Sequence, residues 1–371
     1  MKYKLSDVVD RINGNVDRFT TSLEYYVGGE HFESNELEIT GCGLIKPNVN
    51  ILGFKFHFAF QPGDVLYMAR NPHLRKAGMV NFSGICSDAS YILRTKDSNV
   101  LCQEYLAVIM QSNHLWDYCE SHKVGSVNFA INWKTLANYE FDLPDINIQR
   151  SIANRIWAAY RVKQAYKKLI SATDEMVKSQ FIEMFGNPIS NDRNWDYECI
   201  NSVAPESPAA HVDDDQVWLL NLDMIESNTG NIIDKLVVPK SEVLSAQPFD
   251  DGNVLFSKLR PYLNKVVYPK DKGYATTELV PLRPNQDKLN KVFFTYLLRS
   301  DQFVQFANDI SGGTKMPRMP LKELREFKCI LPPINLQERF AEIVRQADKS
   351  KFELKRAIEA IDKVIKSLIN G

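Results

Sequence analysis

The segment Leu143-Pro144-Asp145-Ile146-Asn147-Ile148-Gln149 returns 188 positions later as Leu331-Pro332-Pro333-Ile334-Asn335-Leu336-Gln337. The match runs on without a gap to Phe181 and Ile369, and 14 of the 39 aligned positions are identical, among them Ala153/Ala341, Ala159/Ala347, Lys163/Lys351, Lys167/Lys355, Ile170/Ile358, Asp174/Asp362 and Lys178/Lys366. Upstream, at an offset of 189, Gly63, Val65, Leu66, Pro72, Leu74, Lys76, Gly84, Leu93 and Arg94 meet Gly252, Val254, Leu255, Pro261, Leu263, Lys265, Gly273, Leu282 and Arg283, and Gly125 meets Gly313 at 188. The chain is one unit written twice, a variable region of about 140 residues followed by a more constant one. Two diverged copies imply two similar tasks performed on two different objects.

The constant regions have helical periodicity. Phe340, Ala347, Leu354, Ile361 and Leu368 fall seven apart with Val344, Ile358 and Ile365 between them, and the first copy has Ile152, Ala159, Tyr166 and Thr173 with Ile156, Ile170 and Val177. These are coiled-coil seams. Asn335 with Glu338 has the form of a capping box behind Pro332-Pro333, which predicts a helix from about Leu336 to Ile369. At 1.5 Å per residue such a helix is roughly 50 Å long and needs a second long helix along its seam, for which the other copy is the natural partner. Phe185-Gly186-Asn187-Pro188 ends the first helix, and the polar stretch to Trp195 reads as a linker. The variable regions mix strand-like runs (Tyr91-Ile92-Leu93, Val254-Leu255-Phe256, Lys265 to Tyr268) with helical ones (Tyr105 to Gln111, Val292 to Leu298), giving mixed α and β domains.

The 371 residues, 44% hydrophobic with 45 Lys plus Arg against 46 Asp plus Glu, have the balance of a globular protein long enough for two cores. No segment has the roughly 20 uncharged apolar residues of a membrane span, and Met-Lys-Tyr-Lys-Leu-Ser starts no apolar run, so a cytoplasmic protein without a membrane partner is expected. The cysteines, Cys42, Cys86, Cys102, Cys119, Cys199 and Cys329, lie too far apart for a CxxC pair or zinc knuckle, and reduced, mostly buried thiols are expected. There is no Gly-rich phosphate loop, GxSxG or HExxH, and Asn71-Pro72-His73 and Asn187-Pro188-Ile189 lack the aromatic residue of an amino-methyltransferase motif. The run Asp213-Asp214-Asp215 beside His211 lacks the alternating spacing of a cation loop. No enzyme, cofactor or metal is expected.

What recurs is basic residues among aromatics, Pro and Gly. Arg70, His73, Arg75 and Lys76 in the first copy match Lys258, Arg260, Tyr262 and Lys265 in the second, each after a short strand, and Lys315 and Arg318 follow the flexible Ser311-Gly312-Gly313. Arginine can grip a guanine edge with two hydrogen bonds while lysine neutralises phosphate, so these ten residues are the candidate DNA-binding set. A near-neutral chain can still bind DNA through a local basic face.

The sequence resembles the DNA-specificity subunits of type I restriction-modification systems. The resemblance is carried by Leu331 to Glu338 and its helix, by Met176-Val177-Lys178-Ser179-Gln180-Phe181-Ile182-Glu183-Met184-Phe185-Gly186, and by Gly252-Asn253-Val254-Leu255-Phe256-Ser257-Lys258-Leu259-Arg260-Pro261. The first copy departs from it with Asp145 in place of Pro333 and Tyr67-Met68-Ala69-Arg70 in place of the Phe-Ser-Lys-Leu form. The resemblance implies an α+β protein: two mixed α/β target-recognition domains (1–142 and 187–330) separated by an antiparallel pair of long coiled-coil spacer helices (143–186 and 331–371), a pseudo-twofold repeat. It further implies a non-catalytic reader of a bipartite site in double-stranded DNA, docking two methyltransferase (modification) subunits and, through them, restriction (translocase-nuclease) subunits. The competing expectation is a purely protein–protein coiled-coil scaffold without base readout.

Overall fold

The computed structural model describes residues 2–45, 52–126, 129–212, 214–243, 245–313 and 315–371. Asp213, part of the acidic run, lies outside them. Residues 1–167 with 356–371 form one compact unit, and residues 168–355 the other.

In the first unit, β-branched and aromatic runs form two four-stranded sheets. One is antiparallel, in the order Val9–Ile12, Ser90–Thr95, Val65–Met68, Ala77–Met79. The other has the order Gly43–Leu44, Tyr25–Val27, Gly84–Ser87, Phe56–Phe60, with Tyr25–Val27 parallel to Gly84–Ser87. Helices Gln103–Ile109 and Asn113–Ser121 cover the first sheet with Leu106, Leu115 and Trp116 fully buried. Ser112 caps the second of these helices, accepting the Leu115 N–H at 3.3 Å.

The second unit repeats the plan. Val254–Ser257 lies between Val266–Val267 and Leu279–Leu282, while Gln216–Leu220 runs parallel to Gly273–Ala275 in a sheet with Leu236–Pro239 and Gln247–Phe249. Helices Lys291–Arg299 and Asp301–Asp309 stand where the repeat places them. The expected runs Tyr91-Ile92-Leu93, Val254-Leu255-Phe256 and Val292 to Leu298 fall within these elements, while Lys265 to Tyr268 is strand only at Val266–Val267 and the helix expected over Tyr105 to Gln111 ends at Ile109.

The long helices span Ile146–Phe185 and Ile334–Asn370. Gly186 ends the first in a left-handed conformation, φ 75°, donating its N–H to the Ile182 carbonyl at 2.8 Å. In the first unit Ile152, Ile156 and Ala159 cluster with Ile361, Ile365 and Leu368, and with Leu37 and Val108 of the α/β layer. In the second, Val177, Phe181 and Phe185 join Phe340, Val344 and Ala347 within a core that includes Phe293 and Phe294. Asp174 pairs with Lys351, and Phe181 meets Phe340 with ring centroids 5.4 Å apart, so the helices run antiparallel. The seams therefore face both the other helix and the sheet layer of their unit. Each buried phenylalanine contributes about 1.5–3 kcal/mol.

The second helix starts earlier than the capping pattern predicts. Pro333 is its last non-helical residue, its carbonyl accepting the Leu336 and Gln337 N–H groups at 2.9 and 3.3 Å. Asn335 and Glu338 thus lie inside the helix, as its second and fifth residues, and the expected capping box is not formed. A proline has no N–H to lose at a helix start, so Pro332-Pro333 blocks the turn before but not Ile334. In the first copy Asp145 holds this place and its Oδ1 accepts the Asn147 N–H at 2.9 Å.

The glutamine of the repeated motif explains why that motif recurs. Gln149, fully buried, donates to the Val100 and Pro144 carbonyls at 2.8 and 2.9 Å and accepts the Cys102 N–H at 3.2 Å. Gln337 donates to Lys288 and Pro332 at 3.0 and 2.7 Å and accepts from Asn290 at 2.9 Å. Each glutamine fixes the start of a long helix to the turn that begins helix Gln103–Ile109 or its counterpart Lys291–Arg299.

Candidate nucleic-acid interface

The basic clusters sit on two copies of one turn. After strand Val65–Met68, Pro72–Leu74 forms a single 3-10 turn between Asn71 and Arg75, both left-handed at φ 51° and 49°. After Val254–Ser257, Pro261–Leu263 forms the same turn between Arg260 and Asn264, at φ 50° and 48°. Proline presets the turn, and its ring is buried in both copies. Backbone bonds close it: Leu74 and Arg75 donate to Asn71 and Pro72 at 2.9 Å each, Leu263 and Asn264 to Arg260 and Pro261 at 2.9 and 2.8 Å.

Each turn is clasped by a glycine loop. Gly125 and Gly313 have φ of 110° and 103°, which only glycine adopts freely. Beyond them, Val124 and Ala130 exchange backbone hydrogen bonds at 2.8 and 2.9 Å, and Gly312 and Arg318 at 3.2 and 3.0 Å. The Phe129 carbonyl accepts the Asn71 N–H at 2.8 Å, and the Pro317 carbonyl the Arg260 N–H at 2.7 Å. Turn and loop form one hydrogen-bonded platform in each unit.

In the second unit this brings Lys258, Arg260, Tyr262, Lys315 and Arg318 onto one platform. Tyr262 is 49% exposed at the tip of the turn, and Lys315 is exposed. Lys258 is half-buried and makes no side-chain hydrogen bond or ion pair among the described residues. Arg318 is held by Glu278 at 2.8 Å, an exposed pair that a phosphate could compete for. Arg260 is half-buried, and its Nε is buried without a partner among the described residues. In the first unit Arg70 and His73 are exposed, and Arg75 donates to Asn113 Oδ1 at 2.7 Å.

Two of the ten residues are turned the other way. Lys76 Nζ donates to the Gly29 carbonyl and Lys265 Nζ to the Leu222 carbonyl, both at 2.7 Å. These half-buried ammonium groups brace the platform from behind.

The sequence reading missed the loops that back the turns. Asn35 and Asn228, both left-handed, donate their N–H groups to the Arg75 and Leu263 carbonyls at 3.1 Å each. Their spacing of 193 differs from the repeat offset of 188–189, so those offsets do not pair them. Gln111 and Arg299 were missed as well; they occupy one repeat position and donate to the equivalent carbonyls of Ala77 and Val266.

Charge is also set behind the platforms. Lys163, buried, pairs with Glu36 and Asp362 at 2.9 and 2.7 Å, and Lys167 reaches Glu36 at 2.9 Å. Burial pushes the Glu36 carboxyl up, but these two ammonium groups outweigh it and hold its pKa below the ordinary 4.5. In the second unit Lys351 pairs with Asp174 and Asp348 at 2.7 and 2.9 Å, which keeps it charged despite its burial. His73 and Arg75 line a cleft of about 680 Å3 with Asn113, Lys163 and Lys366. A larger cleft of about 1010 Å3 in the second unit is lined by Lys178, Arg299 and Lys351 against Asp174, Asp301 and Asp348, a balanced set. Among the described residues no cluster of His, Cys, Asp or Glu is arranged to hold a metal, and no helix is long and apolar enough to cross a membrane.

Comparison with known proteins places these features in a family. The family model described as type I restriction modification DNA specificity domain matches residues 1–171 and 225–362. The type I restriction enzyme EcoDI specificity subunit of Escherichia coli is 25% identical over 150 residues, 39% of this chain. That match spans a third of the relative, 33% of its length. Among solved structures, a chain from work on complex assembly and conformational transition of the type I R-M system superposes with a TM-score of 0.56 at 16% identity, covering 100% of this chain and 96% of that one. The type I restriction-modification S subunit from M. genitalium gives 0.56 at 12% identity, covering 100% and 94%. At these identities the structural likeness speaks to the fold.

Proposed function

The chain belongs to the family of type I restriction-modification DNA specificity proteins, and on that premise we propose that it is the non-catalytic DNA-recognition subunit of such a system, acting on double-stranded DNA. Each platform reads one half of a bipartite site. Residues 1–142 and 187–330 serve as target-recognition domains, and the segments 143–186 and 331–371 as spacer helices that dock two methyltransferase subunits, which in turn carry the restriction subunits. The complex works in the cytoplasm.

The observation that carries this reading is the platform itself. The same turn and clasp are built twice at matched positions, while the side chains they carry differ: exposed Arg70 and His73 with half-buried Arg75 on one, exposed Tyr262, Lys315 and Arg318 with half-buried Lys258 and Arg260 on the other. A protein scaffold gains nothing from two identical frames with divergent cationic faces, whereas a reader of two unlike half-sites needs both.

The test is to purify the tagged full chain from its host with the partners it retains, and to select bound duplexes from a randomised library. Two short motifs at a fixed spacing are expected. Enrichment of no motif would overturn the reading in favour of a protein–protein scaffold. Changing Lys258, Arg260 and Lys315 together to Glu is expected to abolish enrichment of one motif while the retained partners stay bound. Inserting whole helical turns into both long helices should lengthen the spacer and leave both motifs unchanged.

A further inference from the structure

Each turn requires left-handed backbone at both ends, a conformation for which glycine and asparagine are suited and arginine is not. Asparagine fills one end in each unit, Asn71 in the first and Asn264 in the second. Arginine fills the other, Arg75 in the first and Arg260 in the second. The two residue types have exchanged ends.

Packing does not account for the arginines. Asn264 is buried and donates from its amide to the Arg299 carbonyl at 2.9 Å, so its side chain holds the turn to the helix behind it. Arg260 makes no ion pair among the described residues and has a buried Nε without an acceptor. The Arg75 side chain makes one hydrogen bond among the described residues, to the neutral amide of Asn113 at an exposed position. A strained backbone whose side chain does so little for the fold marks a group held for a ligand.

We propose that Arg260 and Arg75 are the residues that read bases, each gripping the major-groove edge of one guanine in the half-site held by its own unit, and that they do so from opposite ends of the same turn. The inference rests on the DNA-recognition reading above. The planar guanidinium offers two parallel donors that match guanine O6 and N7, a fit lysine lacks. The clasp fixes the Cα of Arg260 through its own N–H, bonded to Pro317 at 2.7 Å, so the side chain starts from a rigid point. Lys265 and Lys76 brace the turns and read nothing. Because the arginines sit four positions apart in the repeat frame, the fixed guanine falls at a different place in each half-site.

The test uses the partner-bound, tagged full chain and the randomised duplex library. Arg260→Gly and Arg260→Lys are each expected to cut the preference for guanine by about tenfold or more at one position of one motif, leaving the other motif intact. Arg75→Gly should do the same in the other motif. Thermal melting separates the alternatives, because glycine relieves the left-handed backbone: both glycine variants are expected to melt no lower than the parent. Retention of the guanine by a variant overturns the assignment for that unit, as does a glycine variant that melts several degrees lower and loses its whole motif. A parent that enriches no motif fails the underlying reading instead.

Discussion

Asn71 and Arg260 hold φ of 51° and 50°, Arg75 and Asn264 hold 49° and 48°, and the two turns share a 3-10 centre, a buried proline and a lysine brace. Their faces do not match. The first carries His73 where the second has Tyr262, and Ala130 where the second has Arg318. The turn in the first unit opens on a cleft lined by Tyr160 and Lys163 from the middle of the first long helix and by the end of the second, whereas Arg260 and Tyr262 lie outside the larger cleft of theirs. Duplication thus preserved the hydrogen-bonded frame, whose backbone donors and acceptors pair with one another in both copies, and released the side chains it carries to diverge.

The sharpest test of that division is the ion network behind the platforms. Lys163→Met removes the buried partner that Glu36 and Asp362 share, leaving Glu36 only Lys167 as an ion-pair partner among the described residues, and should cost about 3 kcal/mol, read as a fall in Tm. Lys351→Met, whose carboxylate partners are more exposed, should cost less. Equal losses would show that the two networks are equivalent.

The glutamine clamps should behave alike. Gln149→Leu and Gln337→Leu each remove three hydrogen bonds to buried backbone and should destabilise by about 2–3 kcal/mol each in denaturant titration. A clear inequality would break the frame's symmetry.

Smaller effects separate brace from reader. Lys265→Met should cost about 1 kcal/mol of stability and leave the salt dependence of DNA binding unchanged. Lys258→Met should leave stability unchanged and lower that salt slope by about 1. The reverse pattern would exchange their roles. Last, because Glu36 binds its proton more weakly folded than unfolded, its contribution is present above pH 4.5 and lost as pH falls through its lowered folded value. Glu36→Gln should therefore flatten the acid limb of a stability–pH curve.

Much of the frame was legible in advance. The offset of 188–189 pairs strands Val65–Met68 with Val254–Ser257 and the glycine at φ 110° with that at 103°, because backbone geometry is retained wherever Pro, Gly and the apolar period are. The helical seams were legible for the same reason. The start of the second long helix was not, since the cap there is a proline carbonyl and a clamp from Gln337 rather than a local side-chain motif. Nor was the brace: Lys76 and Lys265 look in sequence like the cations beside them. Their direction is set by carbonyls 47 and 43 residues away.

By itself the sequence determined that the chain is one plan written twice, a variable region followed by a long helix, which residues line the helical seams, and where two basic turns would stand. Those are properties of spacing, and spacing survives without knowledge of the fold. Tertiary structure alone decided which cations of each turn face outward, which loops back it, and that arginine rather than asparagine takes the left-handed position at opposite ends of the two turns. A lysine's partner, or the sign of a φ angle, depends on groups brought together only when the chain has closed on itself.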